Sequence, residues 1–150
     1  MNTIKVTEKD HYFTVVATKK IVKGDLILNL QGTTSPIPTK YSIQIGSDKH
    51  LLAPSNNPQD ESSGFRFLNH SCSPNSYFDI PNMSLLALKD IEEGEEITYH
   101  YCTTEYKMSS PFQCLCGSKN CLHEIKGFYY LSEERKQELL SQLAPHLKKL

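Results

Sequence analysis

The sequence predicts a mainly β domain of short strands and tight turns, closed by a cysteine-rich segment and one terminal helix. Three observations carry this. Short runs of β-branched and apolar residues recur through the first two-thirds of the chain, separated by turn-forming residues. Helical spacing of apolar residues occurs only near the C-terminus. No crossover helices lie between the strand candidates, which excludes a doubly wound α/β sheet.

Tyr12 to Ala17 and Asp25 to Leu30 are the first two strand candidates, with a turn around Lys23-Gly24 between them. Tyr41 to Ile45 alternates, setting Tyr41, Ile43 and Ile45 on one face and Ser42 and Gln44 on the other. Residues 53 to 63, APSNNPQDESS, are polar and proline-interrupted, the composition of a surface loop. Ser84 to Leu88 and Glu96 to Tyr101 are further strands, joined through a turn at Glu92 to Glu95 that contains Gly94. Ser132 is placed to cap a helix whose first turn holds Glu133 and Glu134, and Leu139, Leu140 and Leu143 recur at helical spacing before Pro145. This helix is expected to pack on its own domain, giving a monomer.

At 150 residues the chain is long enough to bury roughly 68–70% of its unfolded surface without outside help. A net charge of −1, from 16 basic and 17 acidic side chains, gives no electrostatic ground for binding nucleic acid or a membrane surface. No apolar run approaches the roughly 18 residues of a membrane span, and the N-terminal residues lack the apolar core of a secretory signal. Five cysteines cannot all pair within one chain, a pattern that suits a metal site in a reducing compartment. The cytoplasm is the expected location, and nothing in the sequence argues against the nucleus.

The strongest local signal is Cys114-Leu115-Cys116, then four residues including Gly117, then Cys121. Zinc prefers four ligands in a tetrahedron and takes thiolate readily, so these three sulfurs can wrap one ion. A fourth ligand must come from elsewhere, and Cys72, Cys102, His123 and His70 all have suitable chemistry. A closed thiolate shell leaves no position for water or substrate, so the zinc is expected to be structural.

Two further stretches stand out. Arg66-Phe67-Leu68-Asn69-His70-Ser71-Cys72-Ser73-Pro74-Asn75 is a short apolar lead into a polar turn. Gly94-Glu95-Glu96-Ile97-Thr98-Tyr99-His100-Tyr101, read as a strand, puts Ile97, Tyr99 and Tyr101 on one side. Two phenols aimed the same way serve as aromatic core or as the lining of a narrow channel, and spacing does not decide between them.

RFLNHSCSPN, GEEITYHY and CLCGSKNC, in that order, resemble the SET domain with its post-SET zinc tail, and the likeness runs from about Tyr12 to Phe128. With KYSIQIG and TTEYKMSSPFQCLCG, the chain is similar to the compact stand-alone SET proteins. The resemblance implies a β-clip-like fold: a SET domain over residues 1–108, a post-SET zinc segment over 109–128 and a helical extension over 129–150. It implies a protein-lysine N-methyltransferase that uses S-adenosylmethionine on a partner protein presenting a lysine.

Residue by residue, Asn69 and His70 match the pair that contacts the cofactor, and Arg66 and Phe67 the residues leading into it. Cys72 matches the fourth zinc ligand beside Cys114, Cys116 and Cys121, and Leu115 is implied to lie near the cofactor as the tail folds over. Tyr101 matches the catalytic tyrosine, Tyr99 the position two before it, and Tyr41 a third channel aromatic. A tyrosine at position 99 implies one or two added methyl groups rather than three. The family's glycine-bearing G-x-G element falls on His11-Tyr12-Phe13-Thr14-Val15-Val16, which has no glycine, so side chains are expected to crowd the cofactor there. A common acidic residue is replaced by His100 and a common glycine by His123, which read as a strand residue and a loop residue. A SET fold repurposed for binding, or for a small-molecule reaction, is the alternative these departures suggest.

Overall fold

The computed structural model describes residues 3–149. Strands β1 (Ile4–Lys9) and β2 (Tyr12–Ala17) form an antiparallel hairpin. Its two loop residues, Asp10 and His11, both have positive φ, the requirement of the tight turn whose twist matches the strands. β1 is absent from the sequence expectations, because its exposed charged positions and glycine-free turn hide the pattern. Ile4, Val15 and Ala17 point into the core.

β3 (Leu26–Asn29), β8 (Ser76–Asp79) and β9 (Ser84–Ala87) make a three-stranded sheet with β9 at its centre. β4 (Thr33–Ser35), β5 (Ile43–Gly46) and β6 (Lys49–Leu52) make a second, centred on β6. Two short pairs complete the β structure. β7 (Asn69–His70) runs parallel to β10 (Thr98–Tyr99), and β11 (Phe112–Gln113) runs antiparallel to β12 (Glu124–Ile125). The mainly β expectation holds.

Several boundaries differ from the sequence reading. Tyr41 lies in the turn before β5 and is half-exposed, while Ser42, Ile43 and Gln44 are all buried, because both faces of this segment are covered. The polar stretch 53–63 is not wholly surface: Asp60 caps a 3-10 turn over Glu61–Phe67, and Ser63 is fully buried, hydrogen-bonded to the Asp60 carboxylate. The strand expected over Glu96 to Tyr101 contracts to β10. His100 then accepts a hydrogen bond from the Cys102 N–H and turns the chain, so Tyr101 opens a 3-10 turn.

The single terminal helix is broken in three. α1 (Glu133–Glu138) is capped by Ser132 as expected, a 3-10 turn spans Leu140–Gln142, and Pro145 starts α2 (Pro145–Lys148) at its first turn. Proline is well tolerated there because that N–H has no helical partner. Leu143 and Ala144 are extended before Pro145, as the residue preceding a proline prefers, and Leu139, Leu143 and Leu147 are buried while Leu140 stays half-exposed.

Two apolar clusters result. The larger joins the sheets through Val15, Phe65, Phe78, Leu85, Ile91 and Ile97. The smaller gathers Cys102, Ile125, Phe128, Leu139, Leu143 and Leu147 under the cysteine tail. Tyr101 packs against both. Among the described residues, no helix is long and apolar enough to cross a membrane.

Candidate active site and metal centre

A cleft of about 1000 Å³ opens between β2, the turn around residues 65–70, the 95–101 segment and the tail from Met108 to Cys116. Its wall is knitted by Asn69. The Asn69 side-chain amide donates to the Phe13 carbonyl at 2.8 Å and to the Glu96 carboxylate at 2.9 Å, so both amide hydrogens hold β2 and the 95–101 segment together.

His70 links the tyrosines to the cysteines. Its Nδ1 accepts the Tyr101 N–H at 3.0 Å, which fixes the hydrogen of the neutral ring on Nε2, 3.2 Å from the Cys72 sulfur. Burial, with the neighbouring His100, holds His70 down to about 3, so the ring is neutral at ordinary pH.

The two late phenols face the cleft together, their ring centroids 4.8 Å apart, although Tyr101 is not in a strand. Tyr101 donates its hydroxyl hydrogen to the Leu68 carbonyl at 2.7 Å, leaving its oxygen lone pairs available as acceptors. Burial, reinforced for Tyr99 by the Tyr101 hydroxyl, pushes both phenols above their ordinary value and keeps them protonated. Tyr99 also packs edge-on against Phe78 at 4.6 Å, which fixes its direction.

The other sequence candidates lie on the same cleft. Tyr41 stands at its mouth with the Arg66 guanidinium 4.0 Å above its ring. Phe67 is buried beneath, its ring 5.0 Å from that of Phe13. Leu115 is 94% exposed on the rim, presented by the tail rather than packed in it.

The glycine-free stretch does not close the site. Tyr12 is 59% exposed yet lines the cleft, and Phe13, also on its wall, offers its backbone carbonyl to Asn69. With both side chains on its wall the cleft keeps about 1000 Å³, a volume that suits a ligand the size of a nucleoside-amino-acid conjugate.

Cys72, Cys114, Cys116 and Cys121 bring their sulfurs within 4.8 Å of one another, with Cys72 and Cys114 at 4.0 Å. A tetrahedral zinc–thiolate site, with Zn–S near 2.3 Å, spaces its sulfurs about 3.8 Å apart, so the donor set fits a closed structural zinc. The Leu122 N–H reaches the Cys72 sulfur at 3.3 Å and the His123 N–H reaches Cys121 at 3.4 Å, the outer-shell bonds that orient thiolate ligands. Without a cation, burial drives Cys72 well up and Cys114 to about 11; Cys116 is also opposed by burial, yet hydrogen bonding from Ser118 holds it at about 6.

Of the other possible fourth ligands, Cys102 is fully buried outside the thiol cluster, and His70 serves as a neighbour of Cys72. His123 sits at φ 65°, the left-handed backbone that explains why glycine suits this position.

Four residues of the site have no counterpart among the sequence candidates. Phe112 stands two residues before Cys114 and packs near His70 (5.9 Å) and Tyr101 (5.8 Å), carrying the tail over the cleft. Phe13 and Glu96 build the wall with Asn69. Glu105, in the unremarkable run Cys102-Thr103-Thr104-Glu105, lines the cleft while only 8% exposed.

Comparison with known proteins places this architecture. The SET domain family profile matches residues 12–102. "Methyltransferase flvH" of Aspergillus flavus is 40% identical over 124 residues, covering 79% of this chain and 63% of that protein. A "Histone-lysine N-methyltransferase, H3 lysine-36 specific" of Candida albicans is 38% identical over 93 residues, covering 58% of this chain and 10% of that protein. The chain thus spans less than two-thirds of either relative.

Among solved structures, the methyltransferase domain of human SETMAR superposes with a TM-score of 0.60 at 20% identity, over 85% of this chain and 59% of that one. KRYPTONITE, in a complex with mCHG DNA and SAH, gives 0.62 at 23% identity, over 81% and 28%. These two share the fold. With the profile spanning the cleft-forming segments from Tyr12 through Tyr101, the chain belongs to the SET-domain family.

Proposed function

We propose that this chain is an S-adenosylmethionine-dependent N-methyltransferase acting on the lysine side chain of another protein. One observation carries the reading: the hydroxyls of Tyr99 and Tyr101 share a cleft with the Asn69-His70 turn. Relatives named histone-lysine N-methyltransferases support it, as does a KRYPTONITE structure holding SAH together with an H3(1-15) peptide.

When bound, the cofactor supplies an electrophilic methyl group on a cationic sulfur. Asn69, His70, Arg66, Phe67 and Leu115 are the residues that would hold it. The chain's own contribution is alignment and electrostatics. Tyr101 keeps its hydrogen on Leu68 and turns its oxygen lone pairs to an incoming N–H. The aromatic walls of Tyr99, Tyr101 and Tyr41 flank an aliphatic stem and favour a cation at its tip. The tail, fastened by the four thiols, carries Phe112 over the cleft and limits water.

The Tyr99 hydroxyl occupies channel space, so the product carries one or two methyl groups, and Tyr99→Phe raises that number in product mass spectra. Burial of Leu139, Leu143 and Leu147 against the chain's own core supports a monomer.

Calorimetric titration of zinc-loaded protein with S-adenosylmethionine tests the reading. Micromolar binding, lost in Asn69→Ala, is expected. Absence of binding to zinc-loaded protein would overturn it.

A further inference from the structure

The cleft contains a buried charge that the reading above does not use. Glu105 is the one buried acidic residue among the described residues, and none of their ion pairs involves it. A buried carboxylate without a counter-ion is costly, and carboxylates perturbed in this way within a cleft cluster at functional sites. Its Oε2 accepts the Gln44 N–H and the Thr104 hydroxyl, each at 2.8 Å. Two neutral donors stabilise the charge in part and leave the cationic partner to come from outside. The Thr104 hydroxyl also interacts with the Tyr99 phenol, which connects the carboxylate to the phenol pair.

We propose that Glu105 is the proton acceptor of this cleft, taking a proton from a primary ammonium group that enters beside Tyr99 and Tyr101. The proposal rests on the methyltransferase reading and assigns a residue to a step which that reading leaves open. An ammonium nitrogen has no lone pair and must lose a proton before it can attack any carbon. One N–H bond breaks, one O–H bond forms on Glu105, and the nitrogen keeps the electron pair. The ammonium becomes a neutral amine and the carboxylate a neutral acid, and the acid returns its proton to water through the open cleft before the next cycle.

Proton affinity is matched to this task. Burial raises Glu105 to about 7, against the hydrogen bonds from Gln44 and Thr104 that pull it down, so acceptor and acid forms are both accessible near neutrality. The titratable groups around it shift away from neutrality. Tyr99, Tyr101 and Cys102 are pushed up by burial, and His50 on β6 and His146 on α2 are pushed down by it.

A purely structural role is the competing account. Gln44 accepts the Tyr106 N–H at 2.8 Å while its own N–H binds Glu105, so the pair latches β5 to the 104–106 segment. That latch needs an acceptor at position 105 and no charge. Glu105→Gln keeps the acceptor and removes the proton exchange.

The test has two arms on zinc-loaded, full-length protein. In the first, carboxyl-labelled glutamate is followed by NMR across pH, with n-butylamine as probe. One resonance titrating near pH 7, absent in Glu105→Gln and shifted by n-butylamine, is expected. In the second, the initial rate of methyl transfer from S-adenosylmethionine into a core-histone mixture is measured against pH. The wild type should rise through an inflection near pH 7. Glu105→Gln should lose the inflection and on the order of 10²-fold in rate, with cofactor affinity retained, and Glu105→Asp should restore part of the pH-dependent rate.

A carboxyl that ignores n-butylamine overturns the proposal, and so does a Glu105→Gln variant with the wild-type rate and profile. A wild type that shows the amine-sensitive carboxyl yet methylates nothing overturns the methyltransferase reading and leaves the ammonium site standing.

Discussion

Tyr101 makes its point through a single hydrogen bond: its hydroxyl hydrogen is committed to Leu68, which aims the oxygen into the cleft. Tyr101→Phe removes only that oxygen and leaves the ring packed between the two apolar clusters. Methyl transfer should fall by roughly 10²–10³-fold, as for other single preorganised polar groups, with the thermal midpoint and calorimetric cofactor affinity near wild type. Glu105 gives a prediction that needs no turnover. Its carboxyl is raised from 4.5 to about 7 by burial. Below pH 4.5 it is protonated in folded and unfolded chains alike, and its charge costs nothing. Above pH 7 the folded state holds a carboxylate it disfavours, and the whole cost is present, at most about 3 kcal/mol. Glu105→Gln should therefore be more stable than wild type in urea unfolding above pH 7, with that advantage shrinking to nothing as pH falls to 4.5.

At the scale of elements, the tail decides whether the cleft has a roof. Four thiols placed to hold one zinc join the turn after β7 to the β11–β12 segment, and the Leu122 and His123 N–H groups orient two of them. Elemental analysis should find one zinc per chain. Chelation should release Phe112 from His70 and Tyr101 and weaken S-adenosylmethionine binding at least 10-fold, measured by calorimetry on stripped and reloaded protein. Gly127 tests the other end of the tail. It has φ 124°, and a Cβ there would stand 2.5 Å from the Tyr106 carbonyl oxygen. Gly127→Ala should cost roughly 3 kcal/mol or more in urea unfolding, since neither the backbone angle nor the opposing carbonyl can yield cheaply.

The metal cluster was legible in the sequence because three cysteines in eight positions have few other uses; the choice of Cys72 over Cys102, His70 and His123 came only from the family likeness. The tyrosine pair was visible, but the turn that presents Tyr101 was not, since His100 capping its successor is a local choice no periodicity records. Glu105 and Phe112 carry no signal in isolation. Their meaning arises when β5 and the tail approach the same cavity.

For the whole molecule, the arrangement is two apolar clusters hinged at one cleft. Tyr101 touches both, Asn69 ties the hairpin to the late strand, and His70 ties the late strand to the thiols. A perturbation of the metal is therefore expected at the phenols, and one of the Asn69 wall at the cofactor. The main sheets followed from strand patterning, whereas the broken C-terminal helix did not: Leu139, Leu143 and Leu147 have the spacing of one continuous helical face, and the extended backbone at Leu143 and Ala144 that interrupts it leaves no trace in that spacing. The most direct test of the central claim is transfer of an isotope-labelled methyl group from S-adenosylmethionine, by the zinc-loaded protein, into a protein lysate of its own source, with the labelled peptides mapped. Label on lysine Nε, absent with Tyr101→Phe, is the expected result. Cofactor binding without any labelled lysine, or equal labelling by the Tyr101→Phe protein, would contradict it.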